Sequence, residues 1–350
     1  MANTIQLKRG DAADWTAADP TLAAGEFGFE ADTGKFKVGD GSTAWSALGY
    51  FEPAAAGVAW SYQGSASGYM GYLGVPSGTN VIDKFSFTSD GNATDVGNLT
   101  VARESTVGNS SAESGYSMGG YAIGTMYNVV DKFPFAADGD ATDVGDLTFA
   151  TRAGQGNSSD SYGYVTMGYN TSYGMSNQYE KLAYAADGNS ANVGTLTVTT
   201  TSSTNTSSPT NGYVVGGLNA INRLDKFPFA SDDNATDVAN SDLELRHRAA
   251  SSSLDAGYLS GGGYANGGTS GISKHVFASD SNASSVSSLA IQVINAGGTQ
   301  STTHGYILGG NTPTKTDHIQ KFEFVSDSNA ADIGNLTTTT DLAGQNGNQI

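Results

Sequence analysis

Carboxylates dominate the chemistry open to this chain of 350 residues: 34 acidic side chains stand against 16 basic ones, for a net charge of −18. They gather in short polar turns such as Asp90-Gly91-Asn92-Ala93-Thr94-Asp95, Asp138-Gly139-Asp140-Ala141-Thr142-Asp143 and Asp232-Asp233-Asn234-Ala235-Thr236-Asp237. Calcium takes about six to eight oxygens, and an EF-hand adds a distal Glu that these turns lack. They read as Asx-type turns, with a weak calcium site as the alternative, and their recurrence favours architecture. We expect no resident metal and no cofactor. His247, His275, His304 and His318 are not spaced as a metal-binding pair. With no cysteine there is neither a disulfide framework nor a thiolate site. A glycosidase needs two opposed carboxylates, and nothing in the sequence singles out two. The expectation is a protein that is not an enzyme, with no catalytic residues.

A second chemistry is stacking. Tyr72, Tyr121, Tyr127, Asn128, Tyr169, Asn170, Tyr173, Asn177, Tyr264, Asn266 and Asn311 fall in connections whose length varies along the chain. Aromatic faces stack on sugar C–H groups and an Asn amide both donates and accepts, so this mixture suits recognition of a glycan or a protein surface. The plainer reading is that Tyr and Asn occupy hairpin tips. Tyr72, Tyr121, Tyr127, Tyr169, Asn170, Tyr173, Tyr264 and Asn311 are the candidate receptor-binding residues.

The frame carrying them is a repeat. A cassette, GY..GG then DKF.F..D then LT..R, recurs with its tyrosine at Tyr69, Tyr116, Tyr164, Tyr213, Tyr258 and Tyr306, in steps of 47, 48, 49, 45 and 48 residues. Such a period belongs to stacked or radial units. From the residue opening the middle strand (Asp83, Asp131, Glu180, Asp225, Ser273, Gln320) to the turn aspartate (Asp90, Asp138, Asp187, Asp232, Asp280, Asp327) the distance is always seven residues. From the tyrosine to that opening residue it runs from 12 to 16, so insertions collect in one connection. Alternation puts Phe133 and Phe135 on one face and Lys132 on the other, and Asp-Gly pairs suggest a tight hairpin into the next strand. Six all-β units could close into a ring and so remove their free edges. The tail Ala343-Gly344-Gln345-Asn346-Gly347-Asn348 mimics Ala153-Gly154-Gln155-Gly156-Asn157 and could lend an inner strand to the first unit beside Tyr69; residues 58–62 are the competing closure.

This pattern resembles kelch repeats, in which a Gly-Gly pair ends one strand and an Arg starts the next unit, the place taken here by Arg103 and Arg152. The resemblance implies an all-β, six-bladed kelch-like propeller over residues 68–350, after a linker and possible first strand at 53–67. Residues 1–52 are a different object. Ile5-Gln6-Leu7-Lys8-Arg9-Gly10, an Ala-rich stretch that Asp11 could cap as a short helix, and the series from Gly25 through Asp32-Thr33-Gly34 and Gly39-Asp40-Gly41 to Trp45 resemble the N-terminal module of phage tail fibres and the major tropism determinant family. That resemblance implies a small β-rich module that trimerises and attaches a display domain to a virion, with Trp15, Phe27, Phe29, Phe36 and Trp45 as its assembly residues.

Acidity argues against phosphate backbones and anionic membranes as partners, so neither nucleic acid nor membrane insertion is expected. No apolar run reaches spanning length and no signal peptide is evident. The expected role is a virion protein made in the host cytoplasm: a homotrimeric tail fibre or receptor-binding protein, bound to other virion proteins through residues 1–52 and facing a host-surface glycan or protein. A structural decoration protein and a surface-polysaccharide depolymerase are the alternatives.

Overall fold

The computed structural model describes residues 8–50, 64–71, 80–172, 174–218, 222–264, 267–311, 313–340 and 348–349. The chain forms two compact units, Met1–Ala59 and Trp60–Ile350. Among the described residues it is almost entirely β, with one α-helix, and no helix is long and apolar enough to cross a membrane.

In the first unit, Lys8–Gly10 pairs parallel with Phe27–Glu30, which pairs antiparallel with Phe36–Val38. The helix Ala12–Ala18 lays Trp15 on Trp45, ring centroids 4.2 Å apart and 16° from parallel, and Leu22 completes the buried apolar cluster. Strand alternation turns Gly28 and Glu30 inward. A Cβ on Gly28 would stand 2.5 Å from the Trp45 ring, so only glycine lets the two indoles stack above it. The inward charges are satisfied: Glu30 accepts the Tyr50 hydroxyl at 2.9 Å, and Lys37 donates to the Trp45 carbonyl at 2.8 Å while facing that ring at 4.9 Å. The helix cap differs from expectation. Asp11 makes no side-chain cap; Asp32 Oδ1 accepts the Ala12 N–H at 2.8 Å, supplied from the turn between the two antiparallel strands.

The second unit repeats one four-stranded antiparallel pattern, in which a short first strand pairs with the cassette tyrosine's strand, that with the DKF strand, and that with the strand before LT. The first strands are Val107–Ser110, Gln155–Ser158, Thr204–Ser207, Ala249–Ser252 and Gly297–Gln300, in units two to six. In unit one the place is taken by Asn348–Gln349, which pairs with Tyr69 and Gly68. Residues 58–62, the competing closure, lie outside the described residues. These first strands touch in cyclic order, and Asn348–Gln349 meets those of both unit six and unit two. Units two and three also share a sheet through the two-residue strand Tyr169–Asn170.

The cassette residues lie where one unit meets the next. Tyr69, Tyr116, Tyr164, Tyr213, Tyr258 and Tyr306 are buried, each against an aromatic of the following unit: Phe135, Tyr184, Phe229, Phe277, Phe324 and Phe87, at 4.7 to 4.9 Å. The glycine before the tyrosine makes room for this packing: a Cβ on Gly115 would stand 2.3 Å from the Phe133 ring. Lys84, Lys132, Lys181, Lys226 and Lys274 reach Asp138, Asp187, Asp232, Asp280 and Asp327 of the following unit at 2.5 to 3.0 Å, and Lys321 reaches back to Asp90 of the first. Each pair is partly exposed and contributes about 0.2–1 kcal/mol.

The turns between third and fourth strands are therefore not tight hairpins. Residues 87–93 separate the strands Val81–Ser86 and Thr94–Asn98 and extend to the preceding unit. The side-chain oxygens of Asn92, Asp140, Asn189, Asn234, Asn282 and Asn329 accept backbone N–H groups there at 2.9 to 3.1 Å. Of the oxygens weighed for calcium, those of Asp90, Asp138 and Asp232 meet lysines, those of Asn92, Asp140 and Asn234 accept backbone N–H groups, Asp233 accepts the Ser231 hydroxyl and Asp237 pairs with Arg223. Among the described residues no group of three or more His, Cys, Asp or Glu is arranged to hold a metal.

A buried set of contacts also crosses the unit boundaries. Asp131, Asp225 and Asp83 accept both the N–H and the hydroxyl of Thr100, Thr197 and Thr337 from the preceding unit, and Glu180 does the same for Thr148. Arg103, wholly buried, bonds Asp131 at 2.9 Å and the Ser117 and Gly119 carbonyls at 3.0 and 2.6 Å. Burial costs a carboxylate or guanidinium several kcal/mol unless it is paired, so removing one partner alone at these sites is destabilising.

Candidate recognition site

Strand alternation puts the second-to-third and fourth-to-first connections at one end of the second unit. Bridges from Glu104 to Tyr121, Arg246 to Gly263 and Ile294 to Asn311 tie the two sets together. Three shallow clefts of about 270, 240 and 220 Å³ lie between successive first-to-second turns at the opposite end, lined in part by Asp160, Tyr162, Pro209 and Phe277.

The described residues include only part of the candidate set. Tyr72 and Tyr173 lie outside the described residues, and Tyr264 is placed only by its backbone, in the strand Gly263–Tyr264. Tyr127 and Asn311 are half-buried. Asn170 is buried, and its Oδ1 accepts the Ser172 N–H at 3.0 Å, a turn-forming role. Tyr121 and Tyr169 are brought together. Tyr169, 40% exposed, and the half-buried Tyr121 flank the Arg152 guanidinium, whose central carbon lies 5.3 and 4.8 Å from their ring centroids. Beside them, Ile123 at the tip of the Tyr121 hairpin is 82% exposed.

Arg152 escaped the sequence reading because it was aligned with Arg103. Arg103 stands four residues after Leu99, whereas Arg152 stands five after Leu147. The fourth position there is Thr151, which is buried and donates its hydroxyl to the Met167 carbonyl, the counterpart of the Gly119 carbonyl that Arg103 takes. The extra residue moves Arg152 out to the loop end, where its backbone pairs with Tyr169. The spacing was the available signal.

Elsewhere at this end His247 sits in the connection between units four and five. Burial, then the neighbouring Arg246, lowers its pKa to about 4, so it is neutral at pH 7. His275 is buried beside Thr206 and is likewise lowered to about 4 by burial. Neither faces a metal-ligand cluster among the described residues.

Comparison with known proteins bears on the first unit. Residues 5–43 match the major tropism determinant N-terminal domain. A protein named hyaluronoglucosaminidase from Streptococcus pyogenes phage H10403 is 47% identical over 49 residues, 14% of this chain and 14% of that protein. A second hyaluronoglucosaminidase, from Streptococcus pyogenes phage H4489A, is 48% identical over 46 residues, 13% of this chain and 12% of that protein. The chain thus spans about one-seventh of the length of these relatives. The matches tie the N-terminal segment to phage proteins of the tail-fibre type. In this segment the Gly and Trp positions of the motif serve packing, and Asp32 serves the helix cap.

Proposed function

We propose that this is a phage tail-fibre or receptor-binding protein that attaches to the virion through residues 1–52 and displays a closed six-bladed, kelch-like propeller to the host surface. The observation that carries the reading is the match of residues 5–43 to a phage tropism module ahead of a six-fold repeat whose inter-unit contacts return from Lys321 to Asp90. Those contacts engage the repeated side chains in architecture. The variable loop end is left for recognition, as expected when loops are carried on a rigid frame.

Assembly as a homotrimer is supported by the outer face of the small sheet. Phe27 is 41% exposed, and its ring lies 5.9 Å from Phe36, with Phe29 on the same face. Such an apolar stripe on so small a unit suits burial against further copies. Three copies would raise avidity for a repetitive surface. We read the protein as lacking enzymatic activity: the buried carboxylates Asp83, Asp131, Glu180 and Asp225 are engaged by threonines of the neighbouring unit.

The test is adsorption of the purified protein to host cells, with and without replacement of the loops carrying Tyr121 and Tyr169. Loss of adsorption in the replaced protein supports the reading. Undiminished adsorption contradicts recognition at this end. Release of reducing ends from host polysaccharide by the wild-type protein would point instead to a depolymerase.

A further inference from the structure

We infer that Tyr121, Arg152 and Tyr169 form a binding site for a carboxylate-bearing sugar ring, a ligand class that rests on the recognition reading above and narrows it. Three observations converge. First, apart from its contacts with the two tyrosine rings, no hydrogen bond or ion pair engages the Arg152 guanidinium among the described residues, although the chain has about twice as many acids as bases. Other arginines here are committed: Arg103 to Asp131, Arg248 to Asp242 and Arg223 to Asp237.

Second, the frame does not require an arginine there. The residues at the same distance from the repeat's leucine are Glu104 in unit one, Thr201 in unit three and Ile294 in unit five, and the units still dock. The bond that Arg103 donates to the Gly119 carbonyl has its counterpart in unit two on Thr151, which donates to the Met167 carbonyl, so that bond does not call on Arg152.

Third, the flanking rings pre-organise the side chain. A guanidinium is attracted to aromatic faces, which offsets part of the rotamer entropy otherwise lost on binding. The planar fork offers paired N–H donors that match a carboxylate, and the exposed part of Tyr169 offers a face to pyranose C–H groups. A neutral sugar would use the tyrosine and leave the fork unmatched. A bare anion would use the fork and gain nothing from the ring.

The probes are methyl glucuronoside, the methyl glycoside of N-acetylneuraminic acid, neutral methyl glucoside and glucose 6-phosphate, each titrated into the full chain with binding followed by ligand-observed NMR. One or both carboxylate sugars should bind about tenfold or more tightly than methyl glucoside, and which of them does so separates a hexuronic from a sialic source. Arg152→Gln should abolish that preference. Arg152→Lys, which keeps the charge but not the fork, should lose most of it. Tyr169→Ala, which leaves the arginine in place, should weaken all the sugars and serves if the arginine variants fail to fold. Equal binding of neutral and acidic sugars, equal binding of the phosphate sugar, or an unchanged preference in Arg152→Gln would each overturn the inference. Loop-dependent adsorption to cells without a carboxylate preference would overturn this ligand class alone and leave the recognition reading in place.

Discussion

Ser273 donates its hydroxyl to Asp242 at 2.7 Å across the boundary of units four and five, the inverse of the bond that Thr100 donates to Asp131 at 2.5 Å across the boundary of units one and two. Acid and hydroxyl have exchanged sides, and each boundary keeps a buried arginine, Arg248 or Arg103, beside the acid. The contact is thus conserved as a pair within one chain while its members are not.

The exchange should be transferable. Asp131→Ser alone leaves the buried Arg103 without its counter-charge and should cost about 3–5 kcal/mol. Thr100→Asp alone crowds two carboxylates and should also destabilise. The double variant should recover most of the loss in urea unfolding. Simple addition of the two penalties would mean that the boundaries are not equivalent.

His275 occupies the position held by Phe85, Phe133, Phe227 and Phe322 in other units, and burial lowers its pKa to about 4. Its folded pKa lies below the unfolded value of about 6.5, so the unfolded chain takes up the proton first as pH falls. The stability tied to it is whole above about pH 6.5 and declines towards pH 4, by about 3 kcal/mol. His247 adds a slope of the same sign. His275→Phe should shrink the stability difference between pH 7 and pH 4.5. Comparing each protein with itself at the two pH values cancels the constant cost of depriving Thr206 of its partner. An unchanged difference would refute the buried neutral histidine.

The helix Ala12–Ala18 offers a contrast between neighbours in sequence and neighbours in space. Asp32→Ala should destabilise the first unit by about 1 kcal/mol, the usual cost of a lost cap, whereas Asp11→Ala should change little. Thermal unfolding followed by tryptophan fluorescence reads both, because Trp15 and Trp45 stack in that core. The reverse ranking would restore Asp11 as the cap.

If the outer sheet face joins copies, Phe27→Ser with Phe36→Ser should lower the mass in sedimentation from trimer to monomer. The Trp15 and Trp45 signal should persist, since those rings lie on the opposite face. A trimer that survives both changes would place its interface elsewhere.

The repeat period, the all-β character and the placement of Phe133 and Phe135 on one buried face were legible because each follows from spacing within a few residues. The purpose of the turn aspartates was not. Lys84 and Asp138 lie 54 residues apart, and a local motif search sees only an acidic turn. Asp11 fits the local cap pattern because it adjoins the helix, while Asp32 acts from 20 residues away. At the loop end, Tyr121 and Tyr169 were marked by residue type, but Asn170, adjacent to Tyr169, is buried and shapes the turn instead. Arg152 was hidden by a one-residue shift that alignment to Arg103 absorbed.

Closure of the ring supports everything argued for the loop end, and a distance measurement tests it. The chain has no cysteine, so spin labels can be placed at will on Thr88, Ala136 and Val325, equivalent exposed positions in units one, two and six. In a closed ring the Thr88 to Val325 separation should match the Thr88 to Ala136 separation, since each pair spans one unit boundary. A Thr88 to Val325 distance several times longer would mean an open row of units and would contradict the account.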